Sequence, residues 1–86
     1  MMTAGQLRAA RALLGVDQRT LADLSGVSLP TIQRMEASDG VVRGTVETLT
    51  KVIEALNRAG IELIGEDARS EAGGRGVRLR SIARPG

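Results

Sequence analysis

A chain of 86 residues with a formal net charge of +2 and no Cys, His, Phe, Tyr or Trp suffices for one domain with a small aliphatic core. The missing residue types exclude disulfides, zinc fingers, Cys–His nucleophile pairs and imidazole acid–base chemistry. They also exclude the aromatic platforms that stack single-stranded nucleic acid and RNA bases, leaving duplex DNA open. No apolar run reaches the roughly 18 residues of a membrane span, and the N-terminus lacks a signal-peptide core. A cytoplasmic protein with no membrane partner is expected.

In chain order, Leu7, Ala10, Arg11 and Leu14 repeat at helical spacing before Gly15, which predicts a first helix over 3–14 with Arg11 on its apolar face. Asp17 is a good N-cap for a short second helix from Gln18 to Leu24, burying Leu21 and Ala22 and ending at Ser25 and Gly26. Ser28 caps a third helix that carries Pro30 in its first turn, turns Ile32, Met35 and Glu36 inward, and ends near Ala37. Residues 38–44 hold two glycines and no helical period, which predicts a loop. Thr45 caps a fourth helix from Val46 to about Ala59, with Val46, Leu49, Ile53 and Leu56 on one stripe, Val52 beside it and Gly60 following as the stop.

Beyond it, Ile61-Glu62-Leu63-Ile64 and Val77-Arg78-Leu79-Arg80 alternate apolar with charged residues, the pattern of half-covered strands. Residues 65–76 are rich in Gly, Ser and charge and are expected to form a mobile loop between them; 81–86 read as a frayed tail. Charge is unevenly spread, with residues 1–44 summing to +1, 45–71 to −3 and 72–86, which hold four Arg and no acid, to +4. The expected organisation is mainly α, with a four-helix unit over 1–60 and a β appendage over 61–80.

The segment from Gln18 to Glu36 joins two short helices through a turn containing Gly, as a helix-turn-helix requires. Ala22 is small where the second helix of the pair crosses it, Gly26 admits a left-handed turn, and Ile32 fills the angle between the helices. With Gln18, Ala22, Gly26, Ser28, Ile32 and Glu36 in place, the segment resembles the Cro and phage-repressor, or xenobiotic-response-element (XRE), helix-turn-helix family over roughly residues 4–59.

The resemblance implies a four-helix DNA-binding domain in which Gln18 contacts a phosphate and Ser28 a phosphate or base. Leu29, Pro30, Thr31, Gln33 and Arg34 would be the solvent-facing residues of the recognition helix, with Thr31 and Arg34 the leading base readers. Arg34 suits guanine O6 and N7, Gln33 suits adenine or a phosphate, and Leu29, Pro30 and the Thr31 methyl suit thymine methyls. Polar residues commonly fill the two family positions held here by Leu29 and Pro30, so apolar contact and DNA shape are expected to weigh more. By the same resemblance Arg43 would contact phosphate from the loop, and Arg11 and Glu36 would form a structural ion pair.

Exposed Arg and Gln side chains are mostly solvated surface in any domain; the motif around Arg34, Gln33 and Arg43 is what favours DNA contact. The arginines at 75, 78, 80 and 84 fit a solubilising edge and tail as well as an arm on phosphate. A lone two-stranded hairpin is marginal in water, so pairing of two hairpins is expected, making Ile61, Leu63, Val77 and Leu79 a dimer interface. Packing within one chain is the alternative. The function expected is a transcriptional regulator, most simply a repressor, bound as a homodimer to an inverted repeat. An antitoxin-like module using the C-terminal part to hold a partner protein is the competing function. Scattered carboxylates without an orienting scaffold make an enzyme the least favoured class, and no cofactor, metal or small-molecule ligand is implied.

Overall fold

The structure is a computed structural model that describes residues 2–64 and 76–79. Four helices are followed by a two-stranded antiparallel sheet: α1 Ala4–Leu14, α2 Gln18–Ser25, α3 Leu29–Glu36, α4 Val46–Arg58, β1 Ile61–Ile64 and β2 Gly76–Leu79. The architecture is mainly helical, as the periodicity predicts. The loop expected over 65–76 falls outside the described residues except for Gly76, as do Arg75, Arg80, Arg84 and the tail over 81–86.

Each helix starts on a side chain that accepts an otherwise orphaned N–H. Thr3, Asp17, Ser28 and Thr45 accept from Gln6, Thr20, Thr31 and Thr48 respectively. At α1 the cap is reciprocal, because Gln6 Oε1 accepts the Thr3 N–H at 2.8 Å. Gly15 and Gly26 end α1 and α2 in the left-handed region, at φ 69° and 70°, a conformation that a Cβ penalises. Arginines cover the C-terminal ends of α3 and α2: Arg8 Nη1 donates to the Glu36 carbonyl, and Arg58 Nη2 to the Leu24 carbonyl at 3.3 Å, where helix dipoles favour positive charge.

The core is aliphatic, built on Leu7 and Ala10 of α1, Leu21 and Ala22 of α2, Ile32 and Met35 of α3, Leu49, Val52 and Leu56 of α4, and Ile61. Two parts of it lie outside the predicted helical stripes. Met2 and Val42 are buried, and the Val42 N–H donates to the Met2 carbonyl at 3.0 Å while the Ala4 N–H donates to that of Gly40 at 2.8 Å. The loop after α3 is thereby tied to the start of the chain. Val46, expected on the inward stripe of α4, is instead 77% exposed. The buried arc runs through Leu49, Val52, Ala55 and Leu56, which puts Val46 off its edge in the first turn.

In the hairpin, Ile61 faces Leu79 and Leu63 faces Val77, with Glu62 opposite Arg78 on the other face. An exposed ion pair joins Arg78 and Glu62, a contact worth little in water. What holds the hairpin is burial: Ile61 is 0% exposed, and Leu63 and Val77 pack on the helical core. Gln6 adds a polar clasp, its Nε2 donating to the carbonyls of Ile64 at 3.0 Å and Gly76 at 2.8 Å. Ile61, one of the four residues expected at a dimer interface, has its side chain enclosed within its own chain. Leu79, 46% exposed, is the outermost of the four.

Candidate nucleic-acid interface

Gly26, Val27 and Ser28 form the turn between α2 and α3. Ala22 is buried at the crossing and Ile32 is fully enclosed between the helices, so the angle of α3 is set by close packing. A polar brace adds to it. Arg11 grips Glu36 through Nε to Oε2 at 2.6 Å and Nη2 to Oε1 at 2.8 Å, a bidentate, charge-assisted pair. Gln18 Nε2 donates to Glu36 Oε1 at 3.0 Å, and Arg11 Nη1 to the Val16 carbonyl at 3.2 Å. Helices α1, α2 and α3 therefore meet on a single carboxylate.

Burial pushes the Glu36 carboxyl upward, the largest single influence. The hydrogen bonds from Arg11 and Gln18, with the charges of Arg11 and Arg8, together outweigh it and leave the group below its ordinary value. Its hydrogen bond to Glu36 raises Arg11 in turn. The Asp17 carboxyl is held low by the Thr20 backbone N–H it accepts.

With Ile32, Met35 and Glu36 turned inward, α3 presents Pro30, Gln33 and Arg34 to solvent. Ser28 is exposed at the cap and Thr31 is half-buried. Their hydroxyls lie 2.8 Å apart, and Arg34 Nη2 donates to Thr31 Oγ1 at 3.2 Å. Arg43 is exposed in the loop beyond α3. Two residues differ from the expected picture. Leu29 is half-buried and packs on the core, so it is not freely solvent-facing. Gln18 spends one amide N–H on Glu36, which leaves its second amide N–H, while the Thr20 N–H in the first turn of α2 is taken by the Asp17 cap.

Gln6 and Arg8 were not marked by sequence reasoning, since their partners lie 58 and 28 residues away in the chain. The polar Gln6, at helical spacing from Ala10 on the inward face, was the available signal. Among the described residues no buried side-chain polar atom lacks a partner, and no helix is long and apolar enough to cross a membrane.

Residues 7–63 match the sequence model of the family described as Helix-turn-helix. No match is found among curated proteins.

Proposed function

Because the chain belongs to the helix-turn-helix family, in its Cro and phage-repressor (XRE) branch of DNA-binding transcription regulators, we propose that it is a sequence-specific repressor that binds an inverted-repeat operator as a homodimer. The observation that carries this reading is the division of α3. Its inner side is locked by Ile32, Met35 and the Glu36 brace, and its outer side offers Pro30, Gln33 and Arg34 on a rigid support. Such a helix enters a major groove without ordering cost, and Arg34 suits a bidentate contact to guanine.

Ser28, the remaining Gln18 amide donor and Arg43 flank that row and suit phosphate oxygens, which fix register and supply affinity. Thr31 and Gln33 complete the polar surface toward the bases. Leu29, with its core-packed side chain, contributes to the shape of the helix start, and Pro30 presents an apolar edge to thymine methyls.

One short helix reads only a few base pairs, whereas a two-fold dimer reads two half-sites about one helical turn apart. The dimer contact falls to the hairpin, through Leu79 and the still accessible parts of Leu63 and Val77, with a sheet edge beside them that has no strand partner among the described residues. The protein acts in the cytoplasm without catalysis and regulates by occupying promoter DNA.

The test is selection of an operator from random duplexes, followed by binding of the wild type and Arg34→Ala across a salt series. The expected result is an inverted repeat bound tightly by the wild type and with relaxed sequence preference by the variant. Salt-labile binding with no preferred sequence overturns the repressor reading and favours a module that engages a partner protein.

A further inference from the structure

Arg34 lies against its own helix, held by a hydroxyl one turn back. A guanidinium has donors only, so in the 3.2 Å contact between Arg34 Nη2 and Thr31 Oγ1 the threonine oxygen must accept. The same oxygen lies 2.8 Å from Ser28 Oγ, which in turn accepts the Thr31 N–H at 3.4 Å. Two hydroxyls own two protons, and one bond between them uses one. Whichever of them donates, one hydroxyl proton stays unspent at the start of α3, and Arg34 gives up one N–H of its fork.

A free arginine on a helix surface samples many rotamers and pays to lose them on binding. Tethering at Thr31 removes part of that cost in advance. It also fixes which side of the guanidinium faces outward, and bidentate recognition of guanine depends on that orientation.

Resting on the reading of α3 as the recognition helix, we infer that Thr31 is a positioning residue for Arg34, setting the guanidinium for guanine rather than reading a base itself. The Ser28–Thr31–Arg34 chain then acts as one unit: the helix cap orients the threonine, and the threonine orients the arginine. This reassigns Thr31 from a base contact to a support.

The experiment measures base preference at every operator position for wild type, Arg34→Ala, Thr31→Val, Thr31→Ser and the Arg34→Ala/Thr31→Val double variant. Thermal unfolding is followed alongside. Thr31→Val keeps the shape and removes the hydroxyl; Thr31→Ser keeps the hydroxyl and removes the methyl. The position whose preference Arg34→Ala flattens is the Arg34 position. There, Thr31→Val is expected to lower discrimination by about two- to tenfold, the range for immobilising one rotamer-rich side chain. Thr31→Ser should retain discrimination, and the double variant should lose no more than Arg34→Ala alone.

Loss at a different base pair in Thr31→Val, or additive losses in the double variant, overturns the inference and makes Thr31 a reader in its own right. A Thr31→Val profile identical to wild type overturns it as well. If the wild type selects an operator but Arg34→Ala flattens no position, the inference falls while the DNA-binding reading stands. If the wild type selects no sequence, both fall.

Discussion

Arg11 of α1 and Glu36, the last residue of α3, are joined by two parallel hydrogen bonds of 2.6 and 2.8 Å, and the two ends of this pair are unequally buried. The Glu36 side chain is 4% exposed and that of Arg11 23%. The carboxylate is the member that cannot return to water, so the consequences of breaking the pair depend on which partner is removed.

Arg11→Met leaves a buried carboxylate with only Gln18 as a side-chain donor, and the expected cost is about 3 kcal/mol, at the low end for a broken buried pair. Glu36→Gln keeps an acceptor for the guanidinium, and Arg11 has a path to solvent, so the expected cost is roughly 1 kcal/mol. Urea denaturation midpoints at fixed slope measure both. Equal losses would show that the brace contributes through packing alone.

The same pair sets an acid limit. The folded-state pKa values of Glu36 and Asp17 lie below their ordinary values of 4.5 and 3.8. In the window between the folded and unfolded values the unfolded chain therefore binds more protons. The stabilisation is complete above the unfolded pKa and is lost as pH falls through the folded one. Stability should be flat from neutrality down to about pH 5 and then decline. In Glu36→Gln that decline should be shallower, the residue of it coming from Asp17; a parallel acid limb in wild type and variant would remove Glu36 as its source.

Gln6 ties the hairpin to α1, with Oε1 engaged at the helix cap and Nε2 on the carbonyls of Ile64 and Gly76. Gln6→Leu fills similar space but strips both carbonyls of their donor, at an expected cost of about 1–3 kcal/mol. The loss should be local. Amides of β1 and β2 are expected to exchange faster while those of α2 and α3 keep their protection. Uniform acceleration through all elements would instead make the clasp part of the global core.

Local chemistry made the helices legible. Thr3, Asp17, Ser28 and Thr45 are all good caps, Gly15 and Gly26 are stops, and the apolar spacing between them is regular. Arg11 and Glu36 could be marked because charge interrupts an otherwise apolar stripe. What was not legible depends on distant partners. Val42 is buried because Met2 pairs with it from the far end of the domain, and Ile61 is enclosed because β1 follows α4 directly into the core. Alternation in a strand shows that a face is covered without showing what covers it, so the same pattern served a dimer sheet and a hairpin packed on its own helices. Val46 and Leu29 depart in opposite directions: the apolar period puts Val46 inward and it is exposed, whereas the recognition-helix reading puts Leu29 outward and it packs on the core. Both are the first residue of a helix, where the period is least constrained.

Arg34 and Arg43 should separate affinity from specificity. Both are exposed cations, but Arg34 stands on the rigid outer row of α3 and Arg43 on the loop beyond it. A phosphate contact is blind to sequence and releases counterions, so Arg43→Ala should weaken binding to operator and random duplex by similar factors. It should also make the slope of log K against log salt shallower by about 1 for each Arg43 lost, or about 2 per dimer. A base contact acts in the opposite manner. Arg34→Ala should cost about 1–3 kcal/mol per half-site on the operator while leaving random duplex nearly unchanged, so the ratio of specific to non-specific binding falls. Titrations on both duplexes at four or more salt concentrations supply slope and ratio together. If Arg43→Ala collapsed the ratio while Arg34→Ala shifted only the slope, the two arginines would have exchanged roles, and the loop rather than α3 would be reading the operator.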